Sequence, residues 1–97
     1  MSAAPPEVLS KIEERKAILT AIKEELVDRL ELEFEPNDID DDTFLFGGGL
    51  SLDSIDSMEI IIGMQSRFGV MIPEDDSSPL RTINTLADFV IREGGSL

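Results

Sequence analysis

At 97 residues with 41% hydrophobic content, the chain can build one small domain around one modest core, and a second domain is not expected. It has no His and no Cys, which removes the usual general base near neutral pH, a thiolate nucleophile and any His–Cys metal site, so self-contained catalysis is not expected. A formal net charge of −13 repels nucleic acid and anionic membranes and favours basic protein surfaces, with salt-dependent encounter, besides keeping the domain in solution.

Met1 to Pro6 reads as a disordered tip ending in a helix-starting proline. It lacks the charged and apolar regions of a signal peptide, and no apolar run is long enough to span a bilayer. The expected localisation is therefore cytoplasmic, with no stable membrane insertion. One domain is expected over 7–93, followed by a tail at 94–97. A long helix opens it: Ile12, Leu19, Ile22, Leu26 and Leu30 recur at steps of three, four and seven, with Val8, Ile18 and Val27 beside them. Glu7/Lys11 and Glu25/Arg29 are favourable i,i+4 pairs.

Pro36 is expected to stop any helix, and Glu35 to Thr43 to form a loop pinned to the core by Ile39, Phe44, Leu45 and Phe46. Between Arg29 and Arg67 there is no basic residue and there are ten acidic ones. Asp38, Asp40 and Asp42 alternate as in the first half of an EF-hand. The sixth and twelfth places hold Thr43 and Gly49 instead of glycine and glutamate, so that reading fails and only a weak, incidental divalent-ion site stays open. Gly47-Gly48-Gly49 has no Gly-Lys-Ser/Thr after it and no βαβ pattern around it; it reads as a flexible turn into the next helix.

Asp53-Ser54 comes directly before a second helical pattern, about Ser54 to Phe68, which puts the Ser54 hydroxyl exposed at or beside an N-cap. Unpaired N–H groups and the positive end of the macrodipole at such a place favour a phosphate esterified to that hydroxyl. A bare cap is the competing reading. The helix has two apolar strips, Ile60, Ile61, Met64 and Phe68 on one and Ile55, Met58 and Ile62 on the other, with Asp56, Glu59, Gly63, Ser66 and Arg67 as a polar strip. Either the whole apolar arc is buried or the second strip stays partly exposed. After Ile72-Pro73 a short helical turn is expected in 74–79, then a last helix capped by Thr82, carried by Ile83, Leu86, Phe89 and Val90 and ended by Gly94-Gly95. No period-two strand with a partner appears. The expected fold is all-α, a small four-helix bundle with three longer helices, one short one and long first and second connections.

The string Leu52-Asp53-Ser54-Ile55-Asp56-Ser57-Met58-Glu59, followed by Ile60, Ile61, Phe68 and Ile72-Pro73, resembles the signature of acyl carrier proteins, a resemblance that runs over roughly Leu26 to Val90. It implies that Ser54 carries 4′-phosphopantetheine, derived from coenzyme A, and that the thiol of that group holds acyl thioesters for separate enzymes. The domain itself is then a carrier and not an enzyme, with no metal and no catalytic residue. The resemblance further implies that Asp53, Ile55, Asp56, Met58, Glu59 and Ile62 meet partners. Asp53 and Asp56 would dock the basic surface of a phosphopantetheinyl transferase; Glu59 and its apolar neighbours would meet later ones, such as an acyl-loading enzyme and a ketosynthase. The first strip, Ile60, Ile61, Met64 and Phe68, would face the core and any sequestered acyl chain. A monomer is expected. Gln65-Ser66-Arg67 stands where the housekeeping fatty-acid pattern continues with acidic residues. With the stretch from Leu45 to Ser54, this looks more like carriers dedicated to aryl-polyene or polyketide-like lipid synthesis. Carriage of an aminoacyl group such as D-alanine, and an acidic interaction domain with no prosthetic group, remain as alternatives.

Overall fold

The computed structural model describes residues 6–46, 50 and 52–95; residues 1–5 of the expected tip at 1–6, the triple-glycine turn at 47–49 and the end of the tail at 96–97 lie outside the described residues, and Pro6 of that tip opens the first helix. Among the described residues there are three α-helices: α1 (Pro6–Arg29), α2 (Ser54–Phe68) and α3 (Ile83–Arg92). Among the described residues there is no β-strand, only one isolated antiparallel bridge between Phe44 and Thr82. The expected fourth helix is a single 3₁₀ turn at Ser78–Leu80, and a second such turn occupies Pro36–Asp38. The all-α class holds; the four-helix detail reduces to three helices and two turns.

α1 turns Ile18, Leu19, Ile22 and Leu26 into the core. Ile12, assigned to the same stripe, is 55% exposed, so the stripe is covered only from about Ile18 onward. The helix also ends earlier than Pro36 would impose. Glu31 takes φ 52°, and the Leu32 N–H donates to the Val27 carbonyl at 3.0 Å, closing the last turn with a left-handed residue. Pro36 instead opens its own 3₁₀ turn, a first-turn position that needs no N–H.

The long first connection is tied down by main-chain bonds. The Leu45 N–H donates to the Arg81 carbonyl at 2.9 Å, and the Asn84 N–H to the Asp41 carbonyl at 2.8 Å. The Leu52 N–H then donates back to the Leu45 carbonyl at 3.0 Å, so the segment entering α2 lies against the one leaving the loop. Ile39 and Leu45 are buried as expected and Phe46 packs half-buried against the core, whereas Phe44 is 54% exposed. Extended backbone sends neighbouring side chains to opposite sides, so burying Leu45 turns Phe44 out. Lys23 holds Asp41 at 2.6 Å, and Asn84 donates to Asp42 at 2.6 Å; these contacts disperse the loop aspartates. Among the described residues no group of three or more acidic side chains is arranged to hold a metal ion.

α3 starts at Thr82 as the sequence predicts. Its hydroxyl accepts from the Thr85 N–H while the Thr85 hydroxyl accepts from the Thr82 N–H, a reciprocal capping box. Its end is a Schellman motif: Gly94 sits at φ 74°, and the Gly95 N–H reaches the Val90 carbonyl at 2.8 Å. In the turn before α3, the Ser78 hydroxyl and N–H bond the Asp76 carboxyl and hold it below its ordinary value. A carboxyl lowered in the folded state stabilises it above the unfolded pKa, and this contribution fades as pH falls through the folded pKa. The apolar faces of α1, α2 and α3 close over one core that includes Ile22, Leu26, Ile60, Met64, Leu86 and Val90, all fully buried.

Candidate functional site

α2 begins with a second capping box, and its cap is Asp53, not Ser54. The Asp53 carboxylate accepts from the Ile55 and Asp56 N–H groups, both at 3.0 Å, while the Asp56 carboxylate accepts from the Asp53 N–H at 3.0 Å. Ser54 is therefore the first helical residue, and it is exposed. Two of the N–H groups expected to favour a phosphate are already engaged by Asp53. What remains for a phosphodiester at Ser54 is the field of the helix terminus, offset by the neighbouring carboxylates of Asp53 and Asp56. The side chain of Ser57 turns back and donates to the Ser54 carbonyl at 2.8 Å.

A cleft of about 360 Å³ opens beside Ser54. Phe46, Leu52, Met58, Ile61 and Leu80 form its apolar walls, and Asp53, Ser54, Ser57, Glu74 and Ser77 its polar edge. Of the four residues the resemblance assigns to an acyl-chain pocket, Ile61 lines this cleft, half-buried. Ile60 and Met64 are fully buried and Phe68 nearly so, packed in the core on the far side of the helix. Phe46, Leu52 and Leu80 were not singled out for the cleft by sequence. Each carried an apolar signal, but only the fold of the first connection and the 3₁₀ turn brings them to α2.

Of the expected partner residues, Ile55 is 72% exposed, Met58 46% and Ile62 47%. Their spacing of three and four makes one exposed apolar strip down α2. Asp53 is exposed; Asp56 and Glu59 are half-buried. Glu59 lies 3.7 Å from Arg29, at the end of α1. Arg67 does not point free into solvent: it holds Glu24 of α1 at 3.2 Å and comes within 4.0 Å of Glu25, so its charge is offset inside the chain.

The profile of the phosphopantetheine attachment site family matches residues 20–90, which takes in the α2 start, its cleft and all of the core but Ile18 and Leu19. The chain belongs to the acyl carrier protein family. Phosphopantetheine is the group that this family carries, which accords with an exposed serine beside an apolar cleft. Curated relatives include the acyl carrier protein of Thermosynechococcus vestitus, 38% identical over 45 residues, which are 46% of this chain and 56% of the relative. Others are an acyl carrier protein of Tropheryma whipplei, 37% identical over 46 residues (47% of this chain, 56% of the relative), and the mitochondrial acyl carrier protein 2 of Arabidopsis thaliana. The last is 33% identical over 45 residues, 46% of this chain and 36% of the relative. The chain spans about half the length of the curated relatives it matches. No helix among the described residues is long and apolar enough to cross a membrane.

Proposed function

We infer that this carrier domain is loaded at Ser54 with 4′-phosphopantetheine and holds acyl groups as thioesters for separate enzymes. The observation that carries the reading is the position of Ser54: exposed, first in α2, freed from capping by Asp53, and at the mouth of the apolar cleft. Loading is a substitution at phosphorus. The Ser54 oxygen forms a new P–O ester bond, the pyrophosphate P–O bond of coenzyme A breaks, and adenosine 3′,5′-bisphosphate leaves. The hydroxyl proton passes to a base where transferase and carrier meet, and the chain has no His or Cys for that role. The bound group supplies one thing that the sequence lacks, a thiol able to form thioesters.

The chain's own residues then divide the work. Asp53 and Asp56 fix the first turn of α2 and present negative charge beside Ser54 to a basic transferase. Ile55, Met58 and Ile62 offer an apolar strip to a partner such as an acyl-loading enzyme or ketosynthase. Phe46, Leu52, Met58, Ile61 and Leu80 offer apolar surface to the tethered acyl group. Gln65-Ser66-Arg67, with Arg67 committed to α1, suits a carrier dedicated to one lipid or polyketide-like pathway with its own ketosynthase.

Incubation with a phosphopantetheinyl transferase and coenzyme A should add the mass of one phosphopantetheine group to the intact protein. Ser54→Ala should abolish the addition while leaving the fold intact, because the cap is Asp53. A loaded Ser54→Ala protein would sink the assignment.

A further inference from the structure

Where α1 ends against the middle of α2, charged side chains of the two helices interleave. Arg29 bonds Glu25 through Nε and Nη2, at 3.2 and 3.1 Å, and its third nitrogen, Nη1, lies 3.7 Å from a Glu59 carboxylate oxygen. It can lie this close across α2 because the residue beneath it is Gly63, where an added Cβ would stand 2.9 Å from the Arg29 Nε. Glu59 belongs to the turn of α2 that carries Met58 and leads to Ile62, so its carboxylate borders the exposed apolar strip. The carboxylates of Asp53 and Asp56, by contrast, are held only by backbone N–H groups of their own turn.

We propose that Arg29 is an intramolecular competitor for Glu59, so that a basic partner reaching along α2 beyond Asp56 must displace a cation that the carrier already supplies. The inference rests on the carrier reading above and adds a residue that sets partner preference. A partner that needs only Asp53 and Asp56 meets an open anionic end, while one that places a Lys or Arg on Glu59 meets an occupied one. Glu25 keeps Arg29 in place from the α1 side, with two of the three guanidinium nitrogens committed to it. Glu59 is about half exposed and its contact is longer than a hydrogen bond, so the competition is modest, about two- to fivefold in partner use.

The probe is a basic-surfaced acyl-loading enzyme acting on the phosphopantetheine-bearing protein, and the readout is kcat/KM for acyl loading at physiological ionic strength. The transferase step, which meets Asp53 and Asp56, is the control and should not respond to Arg29→Gln. Arg29→Gln is expected to raise kcat/KM for acyl loading about two- to fivefold. Glu59→Gln removes the carboxylate in contention, so Arg29→Gln added to it should give no gain. Lys16→Gln makes the same change in net charge on an exposed part of α1 away from the seam, and should not reproduce the gain. Gly63→Ala keeps both charges and displaces the guanidinium, so it should raise loading in the same direction even if Arg29→Gln folds poorly. The inference is overturned if neither Arg29→Gln nor Gly63→Ala raises loading, if the gain survives Glu59→Gln, or if Lys16→Gln matches it. Loading of the wild type without these responses removes only the role of Arg29. A wild type that never takes up phosphopantetheine removes the carrier reading, and this inference with it.

Discussion

Ile60 and Ile62 are chemically identical and two residues apart on α2, yet Ile60 is fully buried and Ile62 is 47% exposed. A rotation of about 200° along a 3.6-residue helix puts them on opposite sides, one in the core and the other in solvent. The face that holds Ile60, Met64 and Phe68 is therefore fixed by the core, and its shape answers to packing. The face that holds Ile55, Met58 and Ile62 is left largely uncovered by the described elements of the chain, and on the proposed reading it is the one open to a partner. Apolar residues on one helix thus fall into two groups, and exposure, not residue type, separates them.

Substitutions can break this contrast. The largest effect is expected in the core: Met64→Ala should cost about 2–5 kcal/mol in urea unfolding, through lost burial and the cavity left behind. Ile62→Ala should stay within about 0.5 kcal/mol by the same measurement while weakening partner use. Equal losses at the two sites would show that the second face is covered in solution.

A smaller effect tests the start of the helix. Asp53→Ala removes the acceptor of two N–H groups and should cost about 1 kcal/mol, whereas Ser54→Ala should leave thermal unfolding nearly unchanged. If the two variants melted alike, Ser54 would share the cap.

The smallest effect lies at the end of α1, outside both faces. Glu31 has a left-handed backbone at φ 52°, a conformation disfavoured for residues with a Cβ and natural for glycine. Glu31→Gly should therefore raise stability, by no more than about 1 kcal/mol after the extra entropy of the unfolded chain, seen as a small increase in Tm.

The sequence by itself determined what depends on hydrogen bonds three or four residues apart. The start of α2 and both ends of α3 were legible because Asp53, Thr82 and Gly94 act on their own neighbours. The signature around Ser54 was likewise a local string, and it carried the family. Only the tertiary structure decided the rest. Between the two places that the sequence left open for Ser54, at the cap or beside it, it chose the second. It ended α1 at Arg29 through a left-handed Glu31, which no residue preference announces. It turned Phe44 outward because the Leu45 main chain pairs with Arg81, some 36 positions further along the chain. It also brought Phe46, Leu52 and Leu80 to the Ser54 cleft and laid Arg29 over Gly63 beside Glu59. Contacts of that kind join residues far apart in the chain, and periodicity within a helix assigns a face without naming what will cover it.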